Sequence, residues 1–130
     1  MNCVDSSGWI EFFLGSQAGL IYKPIIEQTA LLIVPAISIY EVHRFLSRAT
    51  PVASRDEYLE LMCRSTVAEL TVARAIAASE AAQKHRLAMA DAIMYSIARE
   101  FGATFWTQDI DYQGLPGVNF FPRPQPSPLP

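Results

Sequence analysis

Short apolar runs and longer amphipathic stretches take turns along this chain. Asn2 to Val4 predicts a central strand that delivers Asp5 to its carboxyl end. Ser6 or Ser7 then caps a short helix through Trp9, Phe12, Phe13 and Leu14, which Gly15-Ser16 ends. Residues 17–28 form a second amphipathic segment, restarted or kinked at Pro24. Leu31-Leu32-Ile33-Val34 is continuously apolar, as a parallel strand buried on both faces should be, and Pro35 stops it. Helices are predicted over 37–48, bearing Glu41 and closed by Thr50-Pro51, then over 56–64, 71–84 and 87–101. The second of these starts with Asp56 and Glu57 and ends at Arg64, a charge order that suits the helix dipole. Glu80 and Lys84 fall four apart as an exposed pair, and Gly102 stands where a C′ residue would. Further strands are predicted over 66–70, 104–107 and 118–121, the last after the turn Gly114-Leu115-Pro116-Gly117.

This alternation predicts an α/β fold, a three-layer α/β/α sandwich with a mainly parallel central sheet. In such sheets ligands bind at the carboxyl edge of the strands, which puts Asp5 at the active edge. Residues 1–121 form the one domain. From Pro122 onward five of nine residues are proline, and 122–130 is expected to be a disordered or extended tail.

Composition narrows the class. The chain has 130 residues, 51% hydrophobic and 18% charged, enough for one buried core and too apolar for disorder. No apolar run reaches the roughly 18 residues of a membrane span, and the N-terminus lacks a signal-peptide pattern, so a cytoplasmic protein is expected. Cys3 and Cys63 share no motif spacing and read as reduced thiols. The net charge of −3 disfavours nucleic acid only at first sight. Setting aside five acids that could share one metal site leaves eight carboxylates against 10 Lys and Arg. A polyanionic substrate is then permitted.

Those five are Asp5, Glu41, Asp91, Asp109 and Asp111. Asp5 has the alternative role of capping the helix that follows it, although Ser6 and Ser7 serve equally well. Glu41 has the alternative of an i,i+3 pair with Arg44, worth only about 0.2–0.5 kcal/mol. Asp91 carries the clearest signal, because Leu87, Ala88, Met94 and Tyr95 surround it on its helix face and none is a cation. Its competing role is an acid in a helix's first turn, favoured by the dipole. Turn chemistry explains one of Asp109 and Asp111, but two acids at one strand end point to a site. Oxygen ligands without Cys or His suit Mg²⁺ or Mn²⁺ rather than zinc. His43 and His85 read as surface or packing residues.

With these residues in place the chain resembles a PIN domain, specifically the VapC toxin family of type II toxin–antitoxin pairs. The resemblance rests on Val4-Asp5-Ser6-Ser7, Tyr40-Glu41-Val42, Ala90-Asp91-Ala92-Ile93 and Thr107-Gln108-Asp109-Ile110-Asp111-Tyr112 with Leu115-Pro116-Gly117-Val118, in that order across residues 1–121. The family commonly has Phe where Tyr112 stands, a mild departure. The resemblance implies a Mg²⁺- or Mn²⁺-dependent endoribonuclease that cuts structured RNA such as tRNA or rRNA, is neutralised by a cognate antitoxin and commonly forms a homodimer. It matches the family's acids to Asp5, Glu41, Asp91 and Asp109, with Asp111 auxiliary. Asp5 and Asp91 are expected as primary ligands, with Glu41 and Asp109 completing the shell or orienting the attacking water. Ser6 and Thr107 are expected to hydrogen-bond that shell. Arg44 and Arg48 are candidates for phosphate contact, or for neutralising the acids. Two rivals remain: a non-catalytic interaction module whose apolar helices hold a partner, and a phospho-acceptor receiver-like domain. The receiver lacks support, since the first strand offers one Asp and no Lys follows Lys84.

Overall fold

Among the described residues five strands, each three or four residues long, form the framework: β1 (Asn2–Val4), β2 (Ile33–Pro35), β3 (Thr66–Ala68), β4 (Thr104–Thr107) and β5 (Val118–Phe120). The computed structural model describes residues 1–123, so most of the expected proline-rich tail, 124–130, lies outside the described residues. All strand pairs are parallel: β1 with β4, β4 with β5, and β2 with β3. An isolated bridge from Asn2 to Leu32 joins the three-stranded and two-stranded parts, placing β1 centrally. Six α-helices among the described residues connect them: α1 (Ser6–Leu14), α2 (Gly19–Ile26), α3 (Ala36–Ala49), α4 (Val52–Cys63), α5 (Val72–His85) and α6 (Met89–Glu100).

Successive strand residues face opposite sides of a sheet, and the core divides accordingly. Val4, Val34 and Trp106 join Trp9, Phe13, Tyr22, Val42 and Leu46 on the side of α1, α2 and α3. Cys3 and Phe105 face the other way, onto Ala92, Met94, Tyr95 and Ala98 of α6, while Ile33 meets Ile93 and Ile97. Full burial of each large apolar side chain contributes roughly 1.5–3 kcal/mol, which is why three-residue strands suffice. Both cysteines are free, Cys3 in the core and Cys63 exposed. Among the described residues no helix is long and apolar enough to cross a membrane.

Several element boundaries differ from expectation. Helix α4 begins at Val52 rather than Asp56, because Pro51, in extended backbone, ends one helix and leads directly into the next. Asp56 and Glu57 therefore lie beyond the first turn and do not serve its dipole; Asp56 instead pairs with Arg55 at 3.1 Å. Helix α6 begins at Met89 rather than Leu87. Arg86 adopts a left-handed φ of 56° at the end of α5, and Leu87 turns into the core. Strand β3 stops at Ala68, short of Leu70. Glu80 and Lys84 form no ion pair among the described residues.

Candidate metal centre

The strand order determines which acids meet. Parallel pairing of β1 with β4 sets Val4 beside Trp106, so both strands release their chains at the same edge. Asp5 extends the pairing by one step, its N–H donating to the Trp106 carbonyl at 3.1 Å. Its own carbonyl accepts from Gly8 and Trp9, which starts α1 through the backbone. The carboxylate is thus free of the capping role, and Asp5 makes no side-chain cap hydrogen bond. It accepts instead from Thr107 Oγ1 at 2.8 Å. Thr107 Oγ1 in turn accepts from the Asp109 N–H at 2.9 Å, tying the loop after β4 to the end of β1.

That loop is itself braced. Asp109 Oδ1 accepts from the Asp111 N–H at 2.9 Å and caps a 3-10 turn over Ile110–Tyr112. Asp91 enters from the first turn of α6, so the dipole and the acidic site favour the same position. Carboxylate oxygens of Asp91, Asp109 and Asp111 all lie within 4.8 Å of one another. Glu41, half-buried on α3, accepts from Ser6 Oγ at 2.9 Å across the chain. The i,i+3 pair with Arg44 does not form; Arg44 reaches the Tyr40 hydroxyl instead.

Burial and mutual repulsion leave a clear electrostatic signature. Burial raises the Asp5 carboxyl from 3.8 to about 6; the Thr107 hydrogen bond opposes that shift, and the charges of Asp91 and Asp109 add to it. Asp91 is raised as well, first by burial and then by Asp109, Glu41 and Asp111, against a lowering contact with Tyr112. Asp5 and Asp91 therefore each feel Asp109, and Asp91 also feels Glu41 and Asp111. Among the described residues no Lys or Arg forms an ion pair with any of the five. Carboxylates gathered without a counter-charge are the donor set of a hard divalent cation.

Beside the acids, Ser6, Ser7, Ile10, Tyr40, Glu41, Arg44, Phe45 and Arg48 line a groove of about 530 Å³ between α1 and α3. Arg44 and Arg48 thus border Glu41 on the solvent side. Two features escaped the sequence reading. Asp111 belongs to the tightest group of carboxylates rather than its margin, and Ser7 joins Thr107 as a hydrogen-bonding neighbour of Asp5. The Asx turn that places Asp111 leaves a trace in the spacing of the two acids; the Ser7 contact leaves none.

No curated protein matches this sequence. Solved structures share its fold. A toxin–antitoxin complex from Klebsiella pneumoniae aligns with a TM-score of 0.78 at 17% identity, covering 92% of this chain and 96% of that one. Mycobacterium tuberculosis VapC20, a toxin that cleaves the sarcin–ricin loop, aligns with a TM-score of 0.72 at 16% identity over 89% of this chain and 95% of that one. VapBC2 from Rickettsia felis, bound to a DNA fragment from its promoter, gives 0.70 at 11% identity over 93% and 97%. The PIN domain family model matches residues 3–117, from β1 to the turn before β5, and so takes in all five acids. By that match and by its parallel α/β architecture, this chain belongs to the PIN domain family.

Proposed function

We propose that this chain is a divalent-metal-dependent endoribonuclease of the VapC toxin type, held in check by a cognate antitoxin. The observation that carries the reading is the gathering of Asp91, Asp109 and Asp111 within 4.8 Å, beside buried Asp5 and half-buried Glu41, with no ion-paired cation among the described residues. Solved relatives of the fold include antitoxin complexes and a toxin that cleaves the sarcin–ricin loop, which supports both the partner and the RNA substrate.

Asp5 and Asp91 serve as primary ligands, with Glu41, Asp109 and Asp111 completing the shell. Mg²⁺ or Mn²⁺ bound there supplies a water of lowered pKa and offsets charge on the scissile phosphate. Thr107 holds one Asp5 oxygen and Ser6 holds Glu41, so each carboxylate is oriented before an ion arrives. Glu41 and Asp109 also stand where they can orient an attacking water. Arg44 and Arg48 contact RNA phosphates along the groove they line. Residues 1–121 are the working unit, as a homodimer in the cytoplasm, and structured RNA of the tRNA or rRNA class is the substrate.

Purified protein tests the reading directly. RNA should be cut with Mg²⁺ or Mn²⁺, left intact with EDTA, and left intact by Asp91→Ala. Cutting that persists in EDTA, or full activity of Asp91→Ala, would refute it. Sequencing RNA ends after pulse expression, wild type beside Asp5→Ala, then locates the cut site.

A further inference from the structure

We infer that Tyr40 forms a base-stacking subsite beside the metal centre: an unpaired nucleobase of the RNA lies on its ring while Arg44 and Arg48 hold the phosphates that follow along the strand. The inference rests on the nuclease reading above for its substrate, and on the exposure and setting of the ring for its place.

Tyr40 directly precedes Glu41 on α3, yet it lies outside the core that α3 serves. Its neighbour Ile39 packs against the buried cluster of α1, α2 and α3, and Ile37 against the clusters of α6. Tyr40 is 58% exposed and joins none of these clusters. Among the described residues it also has no aromatic partner. A lone exposed tyrosine is ordinary on a protein surface, so the setting decides what it is for.

That setting is a groove fitted to a nucleic-acid strand. Tyr40 lines the groove between α1 and α3 together with Ile10, Phe45 and Glu41, the last tied across to Ser6. Arg44 and Arg48 follow four and eight residues on, on the same side of α3, so the stripe advances in steps of about 6 Å. Successive phosphates of an extended strand are separated by a similar distance. Arg44 Nη1 donates to the Tyr40 hydroxyl at 3.3 Å, which places the guanidinium at the hydroxyl edge of the ring rather than over its face. Among the described residues neither arginine forms an ion pair, so both charges are free to meet phosphate. The same three side chains also border a second hollow with His43 and Ser47, which sets the stripe on a ridge open to a passing strand.

An aromatic ring followed by basic side chains holds a single strand by two means: the ring takes a base by its π face, and the cations take the backbone. A duplex would offer this stripe only phosphates, since its base faces are already stacked on one another. An apolar helix of a protein partner would use Ile10 and Phe45 but leave the two arginines unanswered. The unpaired strand uses all of them.

A fluorescein-labelled oligoadenylate, single-stranded or annealed to oligouridylate, is the probe. Its binding is followed by anisotropy in EDTA, so that no cutting intervenes, with wild type, Tyr40→Phe and Tyr40→Leu. Tyr40→Leu should weaken binding of the single strand about fivefold or more, and Tyr40→Phe should bind it within twofold of wild type. Binding of the duplex should stay within twofold in both variants. Melting temperatures should match wild type, because the ring packs in no buried cluster. Single-strand binding by Tyr40→Leu within twofold of wild type would overturn the inference and assign the ring to a protein contact. Tighter binding of the duplex than of the single strand by wild type would overturn it too. Both results would leave the nuclease reading in place, which fails separately if wild type cuts no cellular RNA with Mn²⁺.

Discussion

At Asp5 the fold holds a carboxyl whose pKa is about 6 instead of 3.8, chiefly because the group is buried. Between those values the folded protein binds the proton more tightly than the unfolded chain does. The Asp5 contribution to stability in metal-free protein is therefore most favourable below about pH 4, declines as pH rises toward 6, and stays low above it, by about 3 kcal/mol in all. Asp5→Asn should raise the melting temperature in EDTA at pH 8 and leave it unchanged at pH 4. Added Mn²⁺ at pH 8 should stabilise the wild type and not the variant. Equal melting temperatures for the two proteins in EDTA at pH 8 would show that the Asp5 charge is not strained. Asp91→Ala should abolish RNA cleavage while unfolding cooperatively, since removing one like charge relieves the others. Asp5 was legible in the sequence because it ends an apolar strand run, and Asp91 because its neighbours on the helix face, Leu87, Ala88, Met94 and Tyr95, include no cation. The closeness of Asp111 to Asp91 was not. It depends on how a three-residue turn folds onto α6, and no local pattern encodes that.

The elements show the same division between local and tertiary control. Strands β1 and β4 coincide with the apolar runs that predict them, because both are bounded by clear turn or capping signals. The starts of α4 and α6 were misplaced. Pro51 acts as an entry to α4 as well as an exit from α3, and Leu87 is pulled into the core by packing rather than by helix propensity. Helix α1 offers a test in which two effects compete. Gly8 lies inside it, and Ala there would gain about 1 kcal/mol of helix propensity. A Cβ at Gly8, however, would meet the Tyr22 ring at 2.6 Å and Val4 Cγ1 at 2.7 Å. Those neighbours are 0% and 1% exposed and cannot retreat, and overpacking of this kind costs about 1–3 kcal/mol. The clash wins, so Gly8→Ala should lower the melting temperature by a few degrees. A rise would mean that α1 can shift away from the sheet.

Across the whole molecule the acids converge at one sheet edge while Arg44 and Arg48 line the neighbouring groove, so binding and chemistry are separable. Replacing either arginine with Ala should raise KM for RNA, leave kcat nearly unchanged, and reduce the salt dependence of binding by about one counterion each. An unchanged salt dependence would remove them from the RNA path. The fold class and the parallel sheet were legible from the alternation of short apolar runs with amphipathic stretches. The central bridge from Asn2 to Leu32 was not, since strand neighbours are chosen by packing across the sheet. The most direct test of the account is a crystal soaked in Mn²⁺ and measured for anomalous scattering. It should show a peak bound by Asp91 together with Asp5 or Asp109, at about 2.1 Å from their oxygens. A fully occupied peak elsewhere, with these carboxylates bare, would contradict it.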